Sequence, residues 1–211
     1  MKILRVETLI NKGTFRDSTL YDTVLNNVIE AIKCIEHPVG TGNFILHDMK
    51  HANGVTPIKN NFVKQLDLFG WKNERIADKE VKKRKFDSSI KLEDGRYFAV
   101  EWETGNISSS HRALNRIFLG MKSGIFSGGF LVLPSKNMYD LLTDRVGNFK
   151  ELEGFFEVWR LLGHYIDDGV IEIIEIEHDG VSKSIKPIKK GGDGNSKKKK
   201  AKKLAVKKVN I

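Results

Sequence analysis

Two glutamates one residue apart end the segment Tyr97-Phe-Ala-Val-Glu101-Trp-Glu103-Thr-Gly, and an aspartate, Asp87, lies upstream of them. On a β-strand successive side chains point to opposite faces, so Phe98, Val100 and Trp102 share one face while Tyr97, Ala99, Glu101 and Glu103 share the other. The apolar face can pack into a core while two carboxylates emerge together where the strand ends at Gly105. Convergent carboxylates are what a hard divalent cation needs. Mg²⁺ takes oxygen ligands at about 2.0–2.1 Å and keeps several waters, so two carboxylates suffice for one ion. In phosphodiester hydrolysis such ions can activate water, stabilise developing charge and clamp the attacking and leaving oxygens. A third carboxylate outside the metal shell can take the proton of the attacking water.

Glu-x-Glu alone is a weak signal, for it recurs at Glu151/Glu153 and at Glu175/Glu177. The ordinary meaning of such a pair is a solvated polar face. That meaning is kept for Glu175/Glu177, because Ile171, Ile173, Ile174 and Ile176 account for the segment as a strand. His178 beside it reads as a surface or satisfied histidine. Glu101 and Glu103 differ by context: a buried face precedes them, and an acid stands upstream on a strand that can pair.

The elements that must position these acids can be read from periodicity. Residues 85–92 and 96–103 form two strands joined at Glu93-Asp94-Gly95, a good hairpin signal that brings Asp87 to the same end of the sheet. Asn106-Ile-Ser-Ser-Ser then offers N-cap residues for a helix to about Lys122. Upstream, Leu20, Val24, Leu25, Val28, Ile29, Ile32 and Ile35 recur at helical spacing, with Ser18 as N-cap and His37-Pro38 as the stop. A second helix follows Pro57 and ends near Gly70. A short buried strand spans Gly129–Leu133, helical segments lie near 136–142 and 148–162, and 170–177 is a final strand. Strands interleaved with helices predict an α/β layer structure with a mixed central β-sheet flanked by helices. Residues 1–195 are expected to form one domain, and a glycine-rich break at 191–194 leads into a lysine-rich tail over 196–211, expected to be flexible.

Bulk properties bound the possibilities. The chain has 211 residues, 40% of them hydrophobic, enough for a packed core. No run approaches the roughly 18 apolar residues of a membrane span, and MKILRVETLINKG lacks the pattern of a signal peptide, so cytoplasmic residence is expected. The single Cys34 excludes an intrachain disulfide and a cysteine-based zinc site. The net charge is +9, of which residues 197–211, with eight Lys and no acid, supply +8. The body is therefore nearly neutral, and high pI says little about nucleic-acid binding by the folded part.

Longer motifs are more specific. Glu101-Trp-Glu-Thr-Gly-Asn-Ile-Ser-Ser-Ser-His-Arg112 closely resembles the BamHI family of type II restriction endonucleases. The resemblance continues through Tyr139-Asp-Leu-Leu-Thr-Asp-Arg-Val-Gly-Asn-Phe-Lys-Glu-Leu-Glu153 and Ile171-Glu-Ile-Ile-Glu-Ile-Glu-His178. Gly54-Val-Thr-Pro-Ile-Lys59 and Gly192-Asp-Gly194 also resemble family segments, whereas residues 1–40 match less clearly. The resemblance implies a restriction-endonuclease-like mixed sheet and a symmetric homodimer. It further implies Mg²⁺-dependent hydrolysis of double-stranded DNA at a palindrome of the GGATCC type, with a cognate DNA methyltransferase in the same cell. By the same resemblance Asp87 and Glu101 would be metal ligands together with the main-chain carbonyl of Trp102. Glu74 would be a further acidic ligand. Glu103, where most relatives of this nuclease fold carry lysine, would orient or deprotonate the attacking water.

Base readout follows the same motifs. Arg145 can fork onto guanine O6 and N7, and Asp144 can accept from cytosine N4. Asn106 suits an adenine edge with Ser108 alongside, and Arg112 resembles the family's contact to the middle base pair. Lys59 matches a positively charged position near DNA, and Asp193 and Gly194 match an arm that reaches the minor groove. Simpler roles compete. Asn106 and Ser108 would cap a helix in any protein, and on the residues alone capping is favoured. Asp144-Arg145 could be a surface ion pair, and His111 reads as structural. Three departures from the family pattern bear on these roles. The Asp87–Glu101 spacing is shorter, Asn195 replaces methionine in the arm, and Ser123 replaces a histidine associated with the dimer contact. The lysine tail is either a solubilising extension or, the reading favoured slightly, a nonspecific attractor of phosphate. Two other classes compete with the nuclease: a DNA-binding protein that does not cut, against which the intact acids argue, and a glycosidase, against which the lack of sugar-stacking aromatics argues.

Overall fold

The computed structural model describes residues 1–73, 85–143 and 145–190. Eight strands, β1 (Lys2–Lys12), β2 (Ile45–His47), β3 (Lys72–Asn73), β4 (Ser88–Lys91), β5 (Tyr97–Trp102), β6 (Phe126–Pro134), β7 (Gly169–Glu177) and β8 (Gly180–Ser182), interleave with six helices among these residues. The helices are α1 (Thr19–Lys33), α2 (Thr56–Leu68), α3 (Ile107–Lys122), α4 (Lys136–Leu141), α5 (Phe149–Glu153) and α6 (Phe156–Leu162). Six strands form one sheet in the order β1-β7-β6-β5-β4-β3. β5, β6 and β7 run parallel, while β1, β4 and β3 pair antiparallel at the two flanks. The mixed sheet flanked by helices is thus the expected architecture. β2 and β8, which sequence periodicity did not reveal, form a separate parallel pair.

Side-chain alternation divides the core into two layers. Phe98, Val100 and Trp102 of β5 join Phe130 and Val132 of β6 and Ile174 of β7 beneath α1 and α2, whose Val28, Ile32, Phe62 and Leu66 close that side. Ala99, Leu131, Leu133, Ile171 and Ile173 face the other way, against Ala113, Leu114 and Ile117 of α3 and Phe156 and Trp159 of α6. Both faces of the three central strands are therefore covered, as parallel strands require.

That double coverage corrects one expectation. Glu172, Glu175 and Glu177 of β7 are buried, not solvated. Glu172 accepts from the hydroxyls of Thr8 (2.8 Å) and Tyr21 (2.7 Å) and from Arg16 Nε (3.1 Å). Glu175 accepts from Arg5 Nε at 2.7 Å, and Glu177 accepts from the Ser135 hydroxyl at 2.5 Å. A buried carboxylate needs such partners, and β7 obtains them because β1 and α1 lie across it. His178 Nε2 lies 3.2 Å from Glu177, while its Nδ1 is buried without a hydrogen-bond partner among the described residues, so the ring is only half satisfied.

Candidate active site

The β4–β5 hairpin turns at Gly95, whose φ of +88° is a conformation that side chains disfavour. Its register pairs Ser88 with Val100. One step beyond, Asp87 stands just outside β4 and opposite Glu101, where Asp87 Oδ2 accepts from Trp102 N at 2.9 Å. Glu101, next to last in β5, lies on the face opposite Trp102, whose ring packs on Phe62 at 4.7 Å. Glu103 N donates to Val132 O at 3.1 Å, so the chain leaves the sheet with Glu103 still held to β6. Asp87, Glu101, Trp102, Glu103, Arg112 and Arg116 all line one cavity of about 220 Å³.

The three acids share this cavity but not their partners. Asp87 Oδ1 accepts from Lys59 Nζ at 3.0 Å, Glu101 is ion-paired with Arg116, and Glu103 accepts from Gly105 N at 2.6 Å and from the Ser110 hydroxyl. Gly105 is required here: a Cβ would lie 2.6 Å from Ser109 Oγ. Burial raises the proton affinity of Glu101 to a pKa of about 8, the nearby Asp87 charge adds to the rise, and Arg116 opposes it. Glu103 is also raised by burial, with its two donors opposing the shift. Among the described residues no three acidic, histidine or cysteine side chains are arranged as a ready-made metal cluster. The donor chemistry nonetheless suits a hard cation. Asp87 and Glu101 offer carboxylate oxygens into one cavity, whereas Glu103 is tied to α3 and would lie outside the metal shell.

Of the residues expected to read DNA, Arg112 lines this cavity. Asn106 occupies the N-cap of α3, but its side chain makes no capping hydrogen bond, contrary to the reading favoured from sequence. Ser108, the second residue of α3, is exposed. Arg112 is exposed and donates to Ser109 Oγ at 2.7 Å. Arg145 is exposed on a loop clamped at both sides: Thr143 N donates to Asn53 O at 2.6 Å, and Gly147 N donates to Gly105 O at 2.7 Å. Lys59, expected near DNA, is ion-paired with Asp87 at the edge of the site. Glu74, Asp144, Asp193 and Gly194 lie outside the described residues, as does the lysine tail. His111 stacks on Trp159 with ring centroids 5.2 Å apart, the structural role expected of it. Sequence reading missed Arg116 and Ser110. Both lie on α3 at helical spacing from the cavity residues Ser109, Arg112 and Ala113, and that periodicity was the available signal.

A mixed sheet with acids at the end of a hairpin, beneath a helix N-terminus, defines a restriction-endonuclease fold. A crystal structure of the restriction endonuclease BglII complexed with a DNA 16-mer superposes with a TM-score of 0.60 at 14% identity, covering 85% of this chain and 79% of that one. The match to a family model, restriction endonuclease BamHI, spans residues 1–195, and the chain belongs to this family of type II restriction endonucleases, which are site-specific deoxyribonucleases. It is 43% identical over 197 residues to the type II restriction enzyme OkrAI of Oceanobacter kriegii, covering 93% of this chain and 99% of that protein. It is 33% identical over 156 residues to the type II restriction enzyme BamHI of Bacillus amyloliquefaciens, covering 70% of each.

Proposed function

We propose that the chain is a homodimeric, Mg²⁺-dependent endonuclease that hydrolyses one phosphodiester in each strand of a palindromic site of the GGATCC type. The observation that carries the reading is one cavity lined by Asp87, Glu101 and Glu103, opening beside the α3 N-terminus and the Arg145 loop. Asp87, Glu101 and the Trp102 carbonyl would hold the ion, with Glu74 as a further ligand, and the ion would supply Lewis acidity and an activated water. Glu103, fixed by Gly105 and Ser110, is oriented to take the proton of the attacking water. Arg145 and Asp144 would read the outer G·C pair, Asn106 and Ser108 the A·T pair, and Arg112 the middle pair. Asp193 and Gly194 would reach the minor groove.

A two-fold site is read by two identical half-site readers, which calls for a symmetric dimer. Leu119 of α3 and Val158 and Leu161 of α6 are exposed on one side of the sheet, 53%, 54% and 64% accessible, and this apolar face would cover its counterpart in a second copy. Residues 1–195 would form the endonuclease domain, and the lysines beyond it would attract phosphate nonspecifically. Residence in the cytoplasm with a companion methyltransferase fits the same reading, and no helix among the described residues is long and apolar enough to cross a membrane.

Digestion of plasmid DNA of known sequence with Mg²⁺, followed by mapping of fragment ends, tests the proposal. Ends at GGATCC, lost when EDTA is added, are expected. Ends scattered without regard to sequence would remove the readout scheme. A sequence-specific complex with no cleavage would favour the non-cutting alternative.

A further inference from the structure

Two cations already stand on the two acids proposed as metal ligands. Lys59 reaches Asp87 from α2, and Arg116 reaches Glu101 from α3, so they approach from opposite faces of the sheet. The two pairs are not equivalent. Asp87 also accepts a backbone N–H from Trp102, which fixes it independently of Lys59. Among the contacts of the described residues, Glu101 has only Arg116 as a hydrogen-bond partner. The Arg116 guanidinium lies over the Phe86 ring, 5.3 Å from its centroid, and its Nε is buried without a hydrogen-bond partner among those residues. A guanidinium carries five donors, so this arrangement leaves Arg116 bonding capacity beyond its one carboxylate.

We infer that Arg116 is an exchangeable partner of Glu101: it holds the Glu101 side chain while the site is metal-free and transfers to a DNA phosphate when a divalent cation takes the carboxylate. This rests on the metal-dependent reading above. The physical basis is that a buried carboxylate must be compensated at every stage. An arginine on Glu101 satisfies that need but occupies one carboxylate oxygen, Oε1, so a metal that takes that oxygen must displace it. Once a phosphate enters the cavity, its two non-bridging oxygens offer the planar guanidinium a bidentate-capable anion of equal charge. Arg116 can then leave Glu101 without being stranded. Metal and DNA therefore favour each other's binding through one side chain, and reciprocity requires the same coupling from either direction. Free enzyme is kept from loading metal tightly until a phosphodiester is present.

The test is Mn²⁺ binding by titration calorimetry, with and without a short GGATCC duplex, in a Glu103→Gln background so that the DNA is not cut. In the parent, the duplex is expected to tighten Mn²⁺ binding by roughly tenfold or more. Arg116→Gln should bind Mn²⁺ about tenfold more tightly than the parent when DNA is absent, with most of the gain from added DNA gone. Arg116→Lys keeps a cation at the site and should stay near the parent. Arg116→Gln binding Mn²⁺ equally or more weakly without DNA would overturn the exchange and leave Arg116 a purely structural support of Glu101. A parent that binds no Mn²⁺ even with DNA would instead overturn the metal-dependent reading, and the exchange with it.

Discussion

Burial raises the proton affinity of Glu101 and Glu103, yet the two are held in different ways. Glu103 is locked by a hydroxyl and a backbone N–H, a fixed geometry that suits a group acting on a water. Glu101 is instead held by one guanidinium, that of Arg116, the partner proposed to leave when a metal takes the carboxylate. The shift at Glu101 has a thermodynamic consequence. Because its pKa rises from the ordinary 4.5 to about 8 in the folded chain, the native state holds the proton more tightly than the unfolded state does. Its contribution to stability is full below about pH 4.5 and is lost as pH rises through about 8. In EDTA-treated protein the melting temperature should therefore carry a component that falls across this window, and Glu101→Gln should flatten it. A melting temperature whose pH dependence is the same in both proteins would show that Glu101 titrates normally.

At the scale of elements, the site is set by what clamps the Arg145 loop. Asn53 is fully buried and uses both ends of its amide. Its Nδ2 donates to the carbonyls of His47 and Leu141, each at 3.1 Å, and its Oδ1 accepts from His47 N at 3.2 Å. Its carbonyl receives Thr143 N, immediately before the readout segment. Asn53→Ala is expected to cost about 1–3 kcal/mol, measured by urea unfolding, because the His47 and Leu141 carbonyls each lose one of two donors and His47 N loses its side-chain acceptor. It should also narrow the ratio of cleavage rates between GGATCC and sites altered at the outer pair. A loss of stability with that ratio intact would make Asn53 a scaffold residue only. Much of this level was legible in the sequence. The hairpin, the α3 boundaries and the alternation at Phe98, Val100 and Trp102 follow from local periodicity and turn chemistry. The predicted helix over 148–162 instead breaks into α5 and α6 at Gly154-Phe155. β1 escaped notice because register shifts at Ile3/Arg5 and Thr8/Ile10 interrupt its alternation. The burial of Glu172 was not legible either, since its partners Thr8, Arg16 and Tyr21 are distant in sequence. Local pattern cannot report contacts made only on folding. For the same reason α3 announced a helix but not that Arg116 would meet Glu101.

At the scale of the whole molecule, two proposals concern surfaces rather than the cavity. If the exposed apolar face of α3 and α6 joins two copies, Val158→Asp with Leu161→Asp should shift the protein to monomer in sedimentation velocity and abolish double-strand cleavage. An unaltered sedimentation coefficient would place the interface elsewhere. The tail makes an independent prediction. Removing residues 197–211 deletes eight Lys, and each phosphate contact contributes about −0.9 to the slope of log K against log salt. Nonspecific binding should lose salt sensitivity while the preferred site is unchanged, and an identical slope would show that these lysines do not meet phosphate. On the proposed reading, Asp87 and Glu101 act in cutting and not in recognition. It is tested most directly by comparing cleavage and gel-shift binding of one GGATCC duplex by the parent, Asp87→Asn and Glu101→Ala. Cleavage is expected to fall at least about a thousandfold in both variants, with specific binding retained. Normal turnover by either variant would contradict it.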